Sequence, residues 1–254
     1  MTFQELAACI ARRHSTRTFS SRAVEPHLLQ ALDNATRAAI AASPVKGRFT
    51  ITRVELPDAR AVRQASYGVI KGASHYLLMF ADATPRNRMG AAYVLEQVVL
   101  EATRLGLGTC WLGGTFRASA FDAEDLPVNP GEELQIVIPV GYEAESLRLT
   151  DRIFRAVAHS SRRKPFDELF TGDTATWREP LEMMRLAPSA RNIQPWRAEA
   201  TEHEVRFTAA ADGKFTTVDM GIALSHFTLA AEALGIGGDL VADPETNSAL
   251  WTLK

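Results

Sequence analysis

APSARNIQPWR, Ala187 to Arg197, packs the turn chemistry and polar groups of a binding loop into eleven residues and sits late in the chain. Pro188 and Pro195 stiffen it, Ser189 and Asn192 carry short side chains for local or ligand hydrogen bonds, and the Gln194 amide both donates and accepts. Two readings stay open: a loop that meets the edge of a heterocycle, or an Asx-type turn between a helix and a strand, with Trp196 filling core. The loop has a counterpart in the first half. With Leu32 placed on Leu181, ALDNATRAAIAASPVKGRF matches PLEMMRLAPSARNIQPWRA as helix, loop and strand start, and Arg48 falls on Arg197. With Leu105 placed on Leu234, EATRLGLG matches AAEALGIG. The offset drops from 149 residues at the first landmark to 129 at the second, so the second copy has lost about twenty residues between them. The missing part reads as the YLLMFA strand and the helix before it. Two related halves are expected, 1–170 and 171–254, the second shortened.

Outward from that loop the pattern mixes helices and strands, which reads as α+β. Leu6, Ile10 and the intervening alanines predict an N-terminal helix that stops at the basic turn RRHSTR, and a second helix is expected from Glu25 to about Ala41, with Pro26 in its first turn. Phe49 to Leu56 and Tyr76 to Ala81 read as strands, the latter fully buried. Tyr93 to Leu105 carries apolar residues at helical spacing and ends at Gly106. LGTCWLGG and Leu134 to Val140 read as apolar strands. SSRRK, Ser160 to Lys164, precedes Pro165 to Asp173, which reads as a connector between the halves. Beyond it the pattern gives a helix from Pro180 to Leu186, two short strands within Arg197 to Thr208, and a long helix from Val218 to Leu234.

Composition narrows the function classes. The 254 residues are 46% hydrophobic and 23% charged, with a formal net charge of −2, which supports a soluble globular chain with a substantial core and lacks the basic excess of a nucleic-acid binder. Cys9 and Cys110 are too few for a disulfide framework and fit a reducing compartment, so a cytoplasmic location is expected. The start MTFQELAACIARRH is too polar for a secretory signal, and no apolar run approaches the roughly 20 residues of a membrane span. The six histidines show no metal-ligand spacing, so no metal is expected, and GxSxG, P-loop and GxGxxG motifs are missing.

Three clusters carry the remaining chemistry. RRHSTR sets Arg12, Arg13 and Arg17 around Ser15; it is either an anion cradle, since guanidinium forks suit phosphate, or a solvated basic helix end. Arg162, Arg163 and Lys164 are phosphate-suited in the same way, or are simply a linker's charge run. In GLGTCWLGGTF, Gly113 and Gly114 allow close backbone approach to a planar ligand, while Cys110 reads as a buried inert thiol.

In order along the chain, RRHSTR, EATRLGLGTCWLGGTF, IPVGYEAE and RRKPFDEL resemble the nitroreductase family of FMN-dependent oxidoreductases, in fragments over residues 5 to 170, GLGTCWLGG being the most specific. The resemblance implies a nitroreductase-like α+β fold with mainly antiparallel central sheets flanked by helices. It further implies FMN at a subunit interface, one subunit giving the basic motifs and the other the proline–serine–asparagine loop. At the positions matching Pro188, Ser189 and Asn192 stand Ala39, Ile40 and Ser43, so only the second half keeps that loop. The chain thus resembles the internally duplicated subfamily, a pseudo-dimer in one polypeptide.

Carried over position by position, the resemblance implies that Arg13 and Ser15 hold the phosphate and ribityl chain with His14 beside them, and that Arg162 and Lys164 complete the phosphate clamp. Arg17 would lie by the flavin pyrimidine, Gly113 and Gly114 would face the ring, and Pro188, Ser189, Ala190 and Asn192 would close over it. Because the second half offers only Trp177-Arg178-Glu179 where an RxSxR motif would stand, one FMN per chain is expected. The activity implied is hydride transfer from NAD(P)H through flavin to a small organic acceptor, nitroaromatic or quinone, with no side chain acting as general acid or base. The alternative is a non-catalytic flavin-binding or other ligand-binding protein. With both halves in one chain, a monomer or weak homo-oligomer is expected.

Overall fold

Helix α1 (Phe3–Arg12) begins with a capping box: the Thr2 hydroxyl accepts from the Glu5 N–H while the Glu5 carboxylate accepts from the Thr2 N–H. Its buried stripe, Leu6, Cys9 and Ile10, follows the helical period. The computed structural model describes residues 1–56, 59–121, 126–145, 162–243 and 245–254; Ser160 and Ser161 of the basic SSRRK run lie outside them. α2 (Pro26–Ala42) starts at its proline, where a missing N–H has no helical partner to lose. There follow β1 (Phe49–Glu55), α3 (Ala59–Ala65), β2 (His75–Ala81), α4 (Pro85–Arg104), β3 (Gly108–Thr109) and β4 (Glu133–Gly141). The remaining elements are α5 (Phe166–Leu169), β5 (Phe170–Gly172), α6 (Arg178–Arg185), β6 (Trp196–Ala200), β7 (Glu204–Ala209), α7 (Thr216–Ala233), β8 (Gly238–Ala242) and β9 (Ala249–Leu253).

These strands make two sheets, one ordered β1-β2-β4-β3 and the other β5-β6-β7-β9-β8. Every pairing is antiparallel except β5 on β6. The fold is α+β, with mainly antiparallel sheets flanked by helices, as the sequence implied. β6, β7, α7, β8 and β9 repeat the order and pairing of β1, β2, α4, β3 and β4.

This topology corrects the expected site of the trimming. A strand does occupy the place of YLLMFA, namely β7; the shortened part is the connection, residues 56–74 with α3 in the first half against 201–203 in the second. β2 is buried on both faces and reads as an apolar run, whereas β7 alternates, with Val205 and Phe207 inward and Arg206 and Thr208 outward, so the two do not look alike. Pro165 to Asp173 is likewise more than a connector. It forms α5 and β5, buries Leu169 and Phe170, and pairs Phe170 with Ala198 in the second sheet, so the expected boundary at 170/171 falls inside β5. LGTCWLGG contributes only Gly108–Thr109 to a ladder, plus isolated bridges from Thr109 to Ser15 and from Leu112 to Val137.

α4 and α7 cross at the centre, each buried along most of its length, and one apolar core runs through both halves. The crossing is close because Gly221 has no side chain: a Cβ there would collide with the Met89 carbonyl oxygen. Gly221→Ala is expected to destabilise by about 1–3 kcal/mol through overpacking, read as a lower urea midpoint. Gly106, with φ of +80°, ends α4 in the left-handed conformation its sequence position predicted.

Candidate functional site

After α1 the chain becomes extended and ties into its neighbours: the Thr16 N–H donates to the Thr109 carbonyl at 2.8 Å, and the Lys71 N–H donates to the Arg17 carbonyl at 2.9 Å. An extended chain has a side-chain period of two, so Arg13, Ser15 and Arg17 share one side. All three line a cavity of about 420 Å³, the size of a small-molecule site. His14 and Thr16 alternate to the other side, where they line a separate cavity of about 200 Å³. His14 is engaged there: one ring nitrogen meets the Arg12 carbonyl at 3.0 Å and the other the Glu143 carboxylate at 2.8 Å.

The larger cavity takes walls from both halves. The first gives Trp111, Gly113, Gly114 and Thr115 after β3, Ile136 from β4, and Arg163; the second gives Pro188 to Asn192 and Phe215, Val218, Asp219 and Ile222 at the start of α7. Nine of the expected site residues therefore meet here: Arg13, Ser15, Arg17, Gly113, Gly114, Pro188, Ser189, Ala190 and Asn192. At Gly113 a Cβ would run into the Phe215 ring, so glycine permits α7 to close this wall. His14, Arg162 and Lys164 stand outside the cavity. Lys164 pairs with Glu168 at 3.3 Å, and the basic side chain that reaches in is Arg163 between them.

The late loop is strained and strongly held. Arg191, Asn192 and Gln194 have φ of 53°, 56° and 52°, left-handed values that carry a cost in residues with a Cβ. The Gln194 N–H donates to the Ser189 hydroxyl at 2.9 Å, and the Ala190 N–H to the Asp219 carboxylate at 2.9 Å. Across the halves, the Asn192 amide donates to the Arg162 carbonyl at 2.8 Å and accepts from Arg163 at 3.2 Å, while the Lys164 N–H donates to the Gln194 side-chain oxygen at 2.9 Å. The turn reading is present in these bonds, since the loop's polar side chains fix its conformation, and the loop also walls the cavity.

Charge in the cavity is uneven. Arg163 is half-buried, and burial first, then the neighbouring Arg13 and Arg185 cations, push its ionisation down; an anion would relieve that repulsion. Asp219 is nearly buried, and burial pushes its carboxyl up to about 7 against the opposing Ala190 N–H. Behind the wall, the Trp111 indole N–H donates to Glu96 at 2.9 Å, and the other Glu96 oxygen meets His226 Nε2 at 2.9 Å. Glu96 and His226 are fully buried in the α4–α7 crossing. Sequence reading missed Asp219, Glu96 and His226. Their signal was charge inside the apolar runs YVLEQVVLEA and VDMGIALSHFTLA, since helices buried all round must give such groups a partner or a cavity. Among the described residues no cluster of acidic, histidine or cysteine side chains is arranged to hold a metal, and no helix is long and apolar enough to cross a membrane.

A family model described as "Putative TM nitroreductase" matches residues 5–231. A solved structure described as a putative nitroreductase from Thermotoga maritima is 21% identical with a TM-score of 0.67, covering 100% of this chain and 94% of that one, so the two share a fold from end to end. A nitroreductase with bound FMN from Desulfitobacterium hafniense is 19% identical with a TM-score of 0.45, covering 56% of this chain and 91% of that one. No curated protein matches the chain.

Proposed function

Because the chain belongs to the family described as "Putative TM nitroreductase", we propose that it is a flavin oxidoreductase, carrying electrons from NADH or NADPH through one FMN to a small nitroaromatic or quinone acceptor. The observation that carries this reading is the cavity shared by the two halves, with Arg13, Ser15 and Arg163 as phosphate donors and Trp111, Ile136, Val218 and Ile222 as an apolar wall. The donor set fits: guanidinium forks and a hydroxyl suit a phosphate monoester, and the like-charged pair Arg13 and Arg163 gains from one. When bound there, FMN supplies the hydride chemistry. Arg17 would place a cation by the pyrimidine side, Gly113 and Gly114 would face the ring, and the Pro188–Asn192 loop would close over it. A single RxSxR motif and a single intact loop support one FMN per chain, held between two duplicated halves that replace a dimer, with the chain itself a monomer or weak homo-oligomer.

The visible spectrum of the purified protein tests this directly. A yellow protein bleached by NAD(P)H without oxygen is expected; a protein that takes up no FMN overturns the reading, and one that stays yellow leaves the binding-only alternative. Arg13→Ala and Asn192→Ala, in opposite halves, should each weaken FMN binding, the first by removing a phosphate contact and the second by loosening Arg163. Losing one charge-assisted contact costs roughly 1.5–3 kcal/mol, about tenfold or more in affinity by fluorescence titration.

A further inference from the structure

Among the described residues that line the cavity, Asp219 alone is acidic; its charged companions are Arg13, Arg17, Arg163 and Arg191. α7 delivers it in its first turn, between the apolar Val218 and Ile222 that line the same wall. It is 4% exposed, and among the described residues its hydrogen-bond donor is the Ala190 N–H. Two further ionisable groups are fully buried on the same two central helices, His226 on α7 and Glu96 on α4, and they are bonded to each other. A carboxyl so placed, its ionisation pushed up to about 7 by burial, lines the cavity with an affinity for a proton that suits general acid chemistry near neutrality.

Resting on the flavin reading above, we propose that Asp219 is the proton donor to the acceptor reduced in this cavity. A quinone that receives a hydride from anionic reduced flavin becomes a hydroquinone monoanion, with both electrons taken from the flavin. The Asp219 O–H bond then breaks, a new O–H bond forms on the acceptor to complete the hydroquinone, and the carboxylate left behind regains its proton from water. An acceptor that takes electrons alone has no use for this group.

Asp219→Asn tests the assignment, because the amide oxygen still accepts from the Ala190 N–H and keeps the loop anchored. Protein reduced beforehand is mixed with p-benzoquinone or with ferricyanide, which needs no proton. The quinone rate should fall about 100-fold more than the ferricyanide rate, and the quinone pH profile should lose a limb near neutrality. A second readout needs no variant and no flavin: the Asp219 carboxyl carbon, assigned by NMR in the unmutated apoprotein, should titrate near neutrality. Equal slowing with both acceptors, or titration in the ordinary carboxylate range, overturns the proposal while leaving the flavin reading intact. Failure of NAD(P)H to bleach the unmutated protein overturns the flavin reading and takes this inference with it.

Discussion

His226→Leu should lower the unfolding free energy by about 3–5 kcal/mol, the largest loss expected from any single side chain near the cavity. His226 and Glu96 are fully buried and 2.9 Å apart. Nδ1 of His226 faces the Met183 carbonyl at 3.0 Å, an oxygen that only accepts, so that nitrogen carries a proton and Nε2 is left for Glu96. Removing the ring strands one Glu96 oxygen in an apolar crossing, and the cost is that stranded group rather than the worth of the pair. The double variant Glu96→Leu/His226→Leu removes the stranded carboxylate and leaves only the neutral Trp111 N–H and Met183 carbonyl without their partners, so it should recover part of the loss. Urea unfolding of the wild type, both single variants and the double variant closes the cycle. Additive losses would show that the two residues do not act together.

Asp219→Asn should have the opposite sign. Burial holds the folded carboxyl up at about 7 against 3.8 for a free aspartate. Between those two values the folded protein keeps a proton that the unfolded chain has released, so wild-type stability falls as pH rises through this window and levels off above it. Asparagine does not titrate. The variant should therefore gain on the wild type by on the order of 4 kcal/mol between pH 4 and pH 8, with the gap opening mainly below pH 7. Urea midpoints of the two FMN-free proteins across that range measure the gap directly, since shifts at all other groups cancel. A gap that stays constant with pH would show that Asp219 is not held neutral.

Much of this fold is legible in the sequence because its elements announce themselves locally. Pro26 opens α2, Gly106 ends α4, and the helical stripe of α1 stops where RRHSTR begins. The late loop also announces its place, since two prolines and an Asx pattern between a helix and a strand leave few conformations. What stayed hidden depends on contacts distant in sequence. β8 and β9 are short, with Asp239 and Thr252 outward, and exist because they complete the second sheet beside β7. β5 is three residues long and reads as a linker until β6 lies parallel to it. In the site, the choice of Arg163 over its basic neighbours turns on which side an extended backbone presents, and composition cannot settle that. Asp219 was overlooked for a related reason: the helical pattern shows that α7 is buried, while the cavity against its first turn is made by segments scattered along the chain, from Arg13 to Asn192.

The crossing of α4 and α7 holds a further consequence. In a two-fold assembly every interfacial bond occurs twice, so one sequence must serve both partners. Under the alignment that sets Leu105 on Leu234, Glu96 corresponds to Ser225 and His226 to Gln97, so the glutamate–histidine bond here has no mirror image. Once two copies share a chain, a mutation on one side is no longer imposed on the other, and each surface drifts under its own selection. Glu96 and His226 show that asymmetry: acid and base occupy different helices, and the positions that correspond to them hold Ser225 and Gln97.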